Sequence, residues 1–181
     1  ATLLGERADT DASERARAEV KSAVAGRGSN VAAYHEVMLA RHFEKHLAEE
    51  SQRLAAEHYR KAAKLDPEYA AAWAGLARVL VTRTGYGWLL PIAEGHRQAR
   101  EAVDRAIALD PDLPEANEAL GAVHMYMEWN WVEAARAYHR ALTHRAGSHL
   151  DDSIAWFLIS MGRYEEALRL LNDLVDKDPL N

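Results

Sequence analysis

The sequence predicts an all-α protein built as a stack of helix pairs, and three observations support this prediction. One helical phrase recurs at separations of 44, 35 and 33 residues, counted from Ala55, Ala99, Ala134 and Ala167. An Asp-Pro dipeptide follows three of the four copies, at Asp66, Asp110 and Asp178. Small residues recur at the same places in every copy. Repetition at a fixed period of this length is typical of solenoids made from one supersecondary unit.

Small side chains mark three positions in each copy. Eleven of these twelve positions hold alanine or glycine, and Leu174 is the exception. A methyl group at a helix crossing lets the two backbones approach closely. The pattern therefore predicts that all eleven residues are buried between helices. They are Ala40, Ala55, Ala62, Ala77, Ala99, Ala106, Gly121, Ala134, Ala141, Ala155 and Ala167.

Capping residues predict where several helices begin and end. Asp66 and Asp110 each precede a proline, which predicts an N-cap followed by proline at the first helical position. Further helix ends are predicted at Ser29 or Asn30, at Asn130 and at Gly162.

The repeats divide the chain into two parts. Residues 1–30 lie outside the period and predict a lead-in or capping helix and a linker; the alternative is a connector from an upstream domain. Residues 31–181 hold four repeats, at about 33–69, 70–113, 114–147 and 148–181. The second repeat carries a long insertion between its two helices, where Gly85, Gly87 and Pro91 prevent one continuous helix.

The repeated phrases resemble a known family. Read together they give W-x2-L-G-x2-Y, then A-x3-F, then P, with Trp73 in the tryptophan position. This pattern resembles the tetratricopeptide repeat. The phrases YGWLLP, EWNWVEAARAYHRAL and SNVAAYHEVMLARHF also resemble the repeat segment of bacterial class III nucleotide cyclases and winged-helix regulators. The resemblance implies a right-handed superhelical stack of antiparallel helix pairs, as a regulatory fragment of a larger bacterial signalling protein.

Composition argues against several other classes of protein. The chain has 22 basic and 28 acidic residues, a net charge of −6 with neutral histidine, and no cysteine. This charge disfavours nucleic acid or an anionic membrane surface as the partner. The absence of cysteine fits a reducing compartment, so we expect a cytoplasmic location. No apolar run approaches the roughly 20 residues of a membrane span.

The sequence offers no catalytic motif, and we expect neither enzymatic activity nor a cofactor. It contains no glycine-rich phosphate loop and no G-x-S-x-G. His42 and His46 lie four residues apart on one predicted helix, but HFEKH lacks the HExxH order of a zinc site. Surface histidines are the commoner explanation, and a helical metal-dependent hydrolase is a distant alternative.

The resemblance implies that the first helix of each repeat lines a concave face. The predicted partner-binding groove consists of Arg41, Lys45, Arg78, Thr82, Met125, Tyr126 and Trp156. The first three residues would form a basic end and the last three an apolar end, and Val37, Ala74 and Glu118 would also face the groove. The alternative is an ordinary mixed surface, partly covered by the next repeat. Charge reversal at Arg41 or Arg78 is expected to weaken partner binding without unfolding the protein. In the insertion, Tyr86 and Trp88 are expected either to pack on the second repeat or to form a hydrophobic contact for a partner.

The leading hypothesis is a protein-interaction module that binds a peptide or a partner protein. The alternative is a self-assembly module, in which the exposed C-terminal repeat forms a weak homodimer. Repeat scaffolds of one fold bind unrelated ligands, so the sequence does not identify the partner.

Overall fold

The computed structural model describes residues 30–85, 91–144 and 153–177. These ranges contain eight α-helices and no β-strand, which confirms the all-α prediction. The helices are α1 (Val31–Glu44), α2 (Glu49–Leu65), α3 (Ala70–Gly85), α4 (Ile92–Leu109), α5 (Pro114–Ala122), α6 (Trp131–Thr143), α7 (Ser153–Ser160) and α8 (Tyr164–Lys177). Among these described helices, none is long and apolar enough to cross a membrane. The helix predicted within residues 1–30 lies outside the described ranges.

Consecutive helices pack as pairs, and the first pair is antiparallel. The Asn30 side chain at the start of α1 donates to the Leu65 carbonyl at the end of α2, at 3.0 Å. At the opposite end of the pair, the Gln52 side chain donates to the Glu44 carbonyl at 2.9 Å. Helix α3 packs on α4, α5 on α6 and α7 on α8, and α3 also packs on α2 and α5. The four pairs follow one another in the order of the four predicted repeats.

The small residues of the repeated pattern lie inside the protein. All eleven alanine and glycine positions are buried, which confirms that prediction. At Gly75 an added Cβ would overlap the Tyr59 ring, and at Gly121 it would overlap the Tyr138 ring. A tyrosine ring therefore packs directly against helix backbone at both of these crossings.

The connectors after α2 and α4 share one structure, which differs from the prediction. Asp66 and Asp110 do not cap the helices that follow, because each is the C-cap of the preceding helix. Their side chains accept hydrogen bonds from the backbone N–H groups of Glu68 and Asp112, at 3.2 Å in both connectors. In this Asx-turn geometry the aspartate side chain mimics a backbone turn. Both following helices begin four residues after the aspartate.

In two of the helix pairs, the side chain at the predicted tryptophan position donates a hydrogen bond to the preceding connector. Trp73 Nε1 donates to the Pro67 carbonyl at 3.0 Å, and Asn117 Nδ2 donates to the equivalent Pro111 carbonyl at 2.7 Å. Asparagine therefore replaces tryptophan here without loss of this hydrogen bond. In α1 the same position holds Glu36, whose carboxylate lies 2.7 Å from the His58 ring of α2.

Helix α5 continues into a π-helix at Val123–Met127. Ala134 lies 13 positions after Gly121, whereas the equivalent Ala167 lies 12 positions after Ala155. A π-helix closes each hydrogen bond over one residue more than an α-helix does. A π-helix between Gly121 and Ala134 is therefore compatible with the one-residue difference between these two segments.

Three predicted helix ends are confirmed. The Asn30 side chain accepts hydrogen bonds from two N–H groups in the first turn of α1. The Asn130 side chain accepts one from the Glu133 N–H at the start of α6, at 3.3 Å. Gly162 has a φ of 72° between α7 and α8, a conformation that glycine adopts without steric cost.

The buried side chains form two hydrophobic clusters. The first extends from α1 through α5 into the π-helix and includes Ala137 of α6. The second joins α6, α7 and α8 and includes Met125 of the π-helix. Helix α6 connects them, because it contributes Ala137 to the first cluster and Ala134 and Tyr138 to the second.

Candidate partner-binding surface

Arg78, predicted at the basic end of the groove, is bound within the protein. Its Nε and Nη2 atoms donate to Glu44 Oε1 and Oε2, both at 2.7 Å. Tyr59 OH donates to Glu44 Oε2, also at 2.7 Å. The Arg78 and Glu44 side chains are only 15% and 14% exposed, so the network joins α1, α2 and α3 in a largely dry site. We therefore expect charge reversal at Arg78 to disrupt the fold, contrary to the expectation from sequence.

The other polar groove residues differ in exposure. Lys45 is exposed just after α1, whereas Arg41 is partly buried. Burial raises the pKa of Tyr69 to about 12, and the nearby Arg41 charge opposes that rise. Thr82 Oγ1 donates to the Arg78 carbonyl within α3, at 3.2 Å. Charge reversal at Arg41 remains the direct test of a basic groove end.

The middle of the predicted groove is closed. Val37 of α1, Ala74 of α3 and Glu118 of α5 are fully buried. Glu118 Oε1 accepts a hydrogen bond from Ser153 Oγ at 2.9 Å, which joins α5 to the start of α7. An extended peptide would have no open floor here, so a contact surface on this face has to lie toward its ends.

The predicted groove role of Met125 is wrong, because this side chain is buried in the second hydrophobic cluster. Tyr138 OH donates to the Met125 sulfur at 3.9 Å. The equivalent position in the regular helix α3, Val81, is also buried, so this position of the repeat faces the core in both helix pairs.

Tyr126 and Trp156, the other two members of the predicted apolar end, reach solvent. They are 45% and 54% exposed. Sequence reasoning missed two more exposed aromatic residues, Trp129 and Trp131, which are 72% and 36% exposed. The available signal was the position of these two tryptophans on either side of the predicted Asn130 cap. We refer to the contacting pair Trp129 and Trp131 as the aromatic surface.

Ring contacts connect this surface to the core. The ring centroids of Trp129 and Trp131 are 6.4 Å apart, and Trp131 stacks on Phe157 at the same distance. Phe157 is buried and its ring centroid lies 5.1 Å from that of Tyr138. The indoles of Trp129 and Trp131 thus continue the aromatic packing of the second cluster out to the solvent.

Trp129 has an unusual backbone conformation. Its φ of 54° lies in the left-handed region, where a residue with a Cβ loses roughly 1–2 kcal/mol. Glycine or asparagine is the usual residue in this conformation at the end of a helix. Residues held in such conformations cluster at functional sites. Trp129 is therefore the strongest single candidate for a functional residue in the described part of the chain.

An ionic cluster holds the backbone next to Trp129. Glu128 Oε2 lies 2.6 Å from His124 Nδ1, and Glu128 Oε1 accepts from Arg100 Nη1 of α4 at 2.9 Å. Burial acts to raise the pKa of Glu128, but the hydrogen bonds from His124 and Arg100 outweigh it and hold that pKa below its usual value. Glu128 is therefore ionised at neutral pH and ties the end of the π-helix to α4.

Other candidate sites are less developed. The rings of His42 and His46 lie 5.9 Å apart, but within the described residues no three carboxylate or imidazole groups are placed to hold a metal ion. Tyr86 and Trp88 lie outside the described ranges. A shallow cleft of about 400 Å³ is lined by Arg60, Trp73, Leu76, Leu80, Gln98, Glu101 and Ala102.

The sequence matches no protein-family model and no curated protein.

Proposed function

We propose that this chain is a protein-interaction module, a tetratricopeptide-type array that binds a partner protein or peptide through its aromatic surface. The observation that carries the proposal is Trp129. This tryptophan is 72% exposed, has a left-handed backbone conformation, and is linked to the buried aromatic cluster through Trp131.

Three features of the fold support the repeat part of the proposal. The helices pack in sequential pairs, the small residues of the period are buried, and the connectors after α2 and α4 form the same Asx turn. Units that bury their apolar faces only against their neighbours are typical of solenoid proteins. The sequence phrases that resemble signalling proteins extend the proposal to a regulatory segment of a larger bacterial signalling protein.

The chemistry of the aromatic surface supports a macromolecular partner. Tryptophan and tyrosine are enriched among the few residues that carry most of the binding energy of protein interfaces. A contact residue that is already held in place loses little conformational freedom on binding. The ring stack beneath Trp131 and the Glu128 cluster supply this preorganisation. The surface is therefore suited to an apolar or aromatic anchor of a partner chain.

Selection from a random peptide library displayed on phage would test the proposal. The immobilised chain is expected to enrich peptides with apolar or aromatic anchors, and calorimetry would then give their affinities. Trp129→Ala is expected to weaken the selected peptides at least tenfold, because a central anchor contributes more than about 1.4 kcal/mol. Ile92→Glu, at the exposed start of α4 and outside the aromatic surface, should leave these affinities unchanged.

Two results would contradict the proposal. One is the absence of any peptide enriched over an immobilised control protein. The other is equal affinity of the selected peptides for the parent chain and for Trp129→Ala, with both proteins folded by circular dichroism.

A further inference from the structure

The last helix carries an exposed apolar stripe. Tyr164, Leu168 and Val175 of α8 are 66%, 60% and 60% exposed, and Leu171 between them is partly buried. These four residues recur at i, i+4, i+7 and i+11, so they share one side of the helix. The adjacent flank of α8 packs on α7, with Ala167 and Leu170 buried.

The equivalent face of α2 is covered by a helix. Its counterparts of Leu168, Leu171 and Val175 are Ala56, Tyr59 and Ala63, which are 0%, 1% and 4% exposed. Helix α3 packs on this face, with Gly75 against the Tyr59 ring. Because α3 covers this face of α2, we infer that the equivalent stripe on α8 also packs against a helix.

We propose that the stripe binds the same stripe of a second copy of this chain, with the two α8 helices antiparallel. The spacing of four, three and four residues reads the same in both directions. A twofold axis between residues 169 and 170 therefore sets Tyr164 opposite Val175 of the second copy. The same axis sets Leu168 opposite Leu171. Such a self-complementary patch is what a closed twofold dimer requires.

The charges beside the stripe are compatible with this register. Glu165 and Asn172 lie on the same exposed flank of α8, seven residues apart. In the antiparallel arrangement Glu165 faces Asn172 of the second copy, so the two carboxylates do not meet. Neutral and charged polar residues that flank an apolar seam set the register of paired helices.

Head-to-tail packing of α8 on α1 of another copy fits less well. Helix α3 presents Gly75 at the close crossing with α2, whereas α1 presents Met38 at the equivalent position. A methionine at that point would prevent the close approach seen between α2 and α3. The chain therefore favours α8 itself as the partner of α8.

Sedimentation equilibrium of the full chain tests the inference. One helix stripe buries less than the roughly 1,200 Å² of a stable interface, so association is expected between about 10 μM and 1 mM. The average mass should rise from the monomer value toward twice that value over this range. Leu168→Glu and, separately, Val175→Lys should keep the monomer mass at every concentration. Trp129→Ala should not change the association, since Trp129 lies outside the stripe.

Cross-linking tests the register. The chain has no cysteine, so an equimolar mixture of the single variants Leu168→Cys and Leu171→Cys should give a disulfide-linked dimer of the two variants on mild oxidation. Tyr164→Cys alone should not, because the two copies of residue 164 would lie about 16 Å apart along the helices, beyond the roughly 7 Å that a disulfide spans between Cα atoms. A chain that stays monomeric to 1 mM, or a dimer that persists in Leu168→Glu, would overturn the inference. Either result leaves the partner-binding proposal untouched.

Discussion

Tyr59 and Tyr138 occupy equivalent positions in the first and third helix pairs, yet their hydroxyl groups have different partners. Tyr59 OH donates to Glu44, which Arg78 also binds through two hydrogen bonds. Tyr138 OH donates to the thioether of Met125 at 3.9 Å. The first crossing is thus joined by charge-assisted hydrogen bonds, which are the strong ones. The third includes a methionine, whose side chain adapts readily to its surroundings.

The same contrast extends to the surfaces of the two halves. Among the described residues, four exposed large hydrophobic side chains precede α5 and nine follow it. In the first half, networks of polar side chains join the helices beside their alanine-rich crossings. The second half leaves aromatic and aliphatic groups in water, and exposed apolar patches of this kind mark interaction sites. We therefore expect the first half to contribute most of the stability and the proposed partner binding to lie in the second half.

Arg78→Ala should give the largest loss of stability among these variants. A small loss would contradict the contrast between the two halves of the protein. It leaves the Glu44 carboxylate largely buried without its guanidinium partner, and loss of one partner of such a pair lowers the free energy of unfolding by about 3 kcal/mol. Urea denaturation measures the change. Arg136→Ala is the matched control in the second half, because its ion pair with Glu133 is solvent-exposed and should contribute nothing measurable. Equal stability of the two variants would show that the Glu44 network is not structural.

Tyr59→Phe and Tyr138→Phe test the two crossings directly. Loss of a hydrogen bond to a charged acceptor should lower the free energy of unfolding by about 2 kcal/mol in Tyr59→Phe. At Tyr138 the same substitution removes the hydrogen bond to the Met125 sulfur, a weak acceptor, and we expect a smaller loss there. Thermal and urea denaturation of both variants provide the comparison. A larger loss at Tyr138 than at Tyr59 would reverse the assignment.

Features of the fold that depend on local periodicity could be predicted from sequence. Burial of Ala55 and Ala106 follows from a small-residue requirement that recurs in every helix pair. The helix ends at Asn30, Asn130 and Gly162 follow from capping chemistry that acts within a few residues. Each of these predictions rests on neighbours in the sequence and needs no knowledge of tertiary contacts.

Features that depend on long-range pairing or on a change of helical period could not be predicted. Glu44 and Arg78 are 34 residues apart, and no local pattern pairs them. Met125 is buried because the second hydrophobic cluster, including Tyr138, packs around it, and the repeat pattern does not show these contacts. Trp129 was missed because a left-handed tryptophan contradicts the usual preference for glycine or asparagine, so its residue type gives no signal for that conformation.

Trp129 also gives the sharpest distinction between stability and recognition, through two substitutions. Trp129→Ala removes the indole but keeps a Cβ in the left-handed conformation, whereas Trp129→Asn removes the indole and tolerates that conformation. The asparagine variant should therefore be more stable than the alanine variant by about 1 kcal/mol. Differential scanning calorimetry or urea denaturation measures this difference.

Both variants should lose affinity for the selected peptides to the same extent, because both lack the indole. Trp129→Asn would then be at least as stable as Trp129→Ala but would bind the peptides no better. This result would separate the effect of the backbone conformation on stability from the effect of the indole on binding. If instead both variants lose more than about 3 kcal/mol of stability, as for truncation of a core aromatic, the indole is part of the second hydrophobic cluster. The exposed aromatic residues of the second half would then be structural, and the contrast with the first half would disappear at this residue.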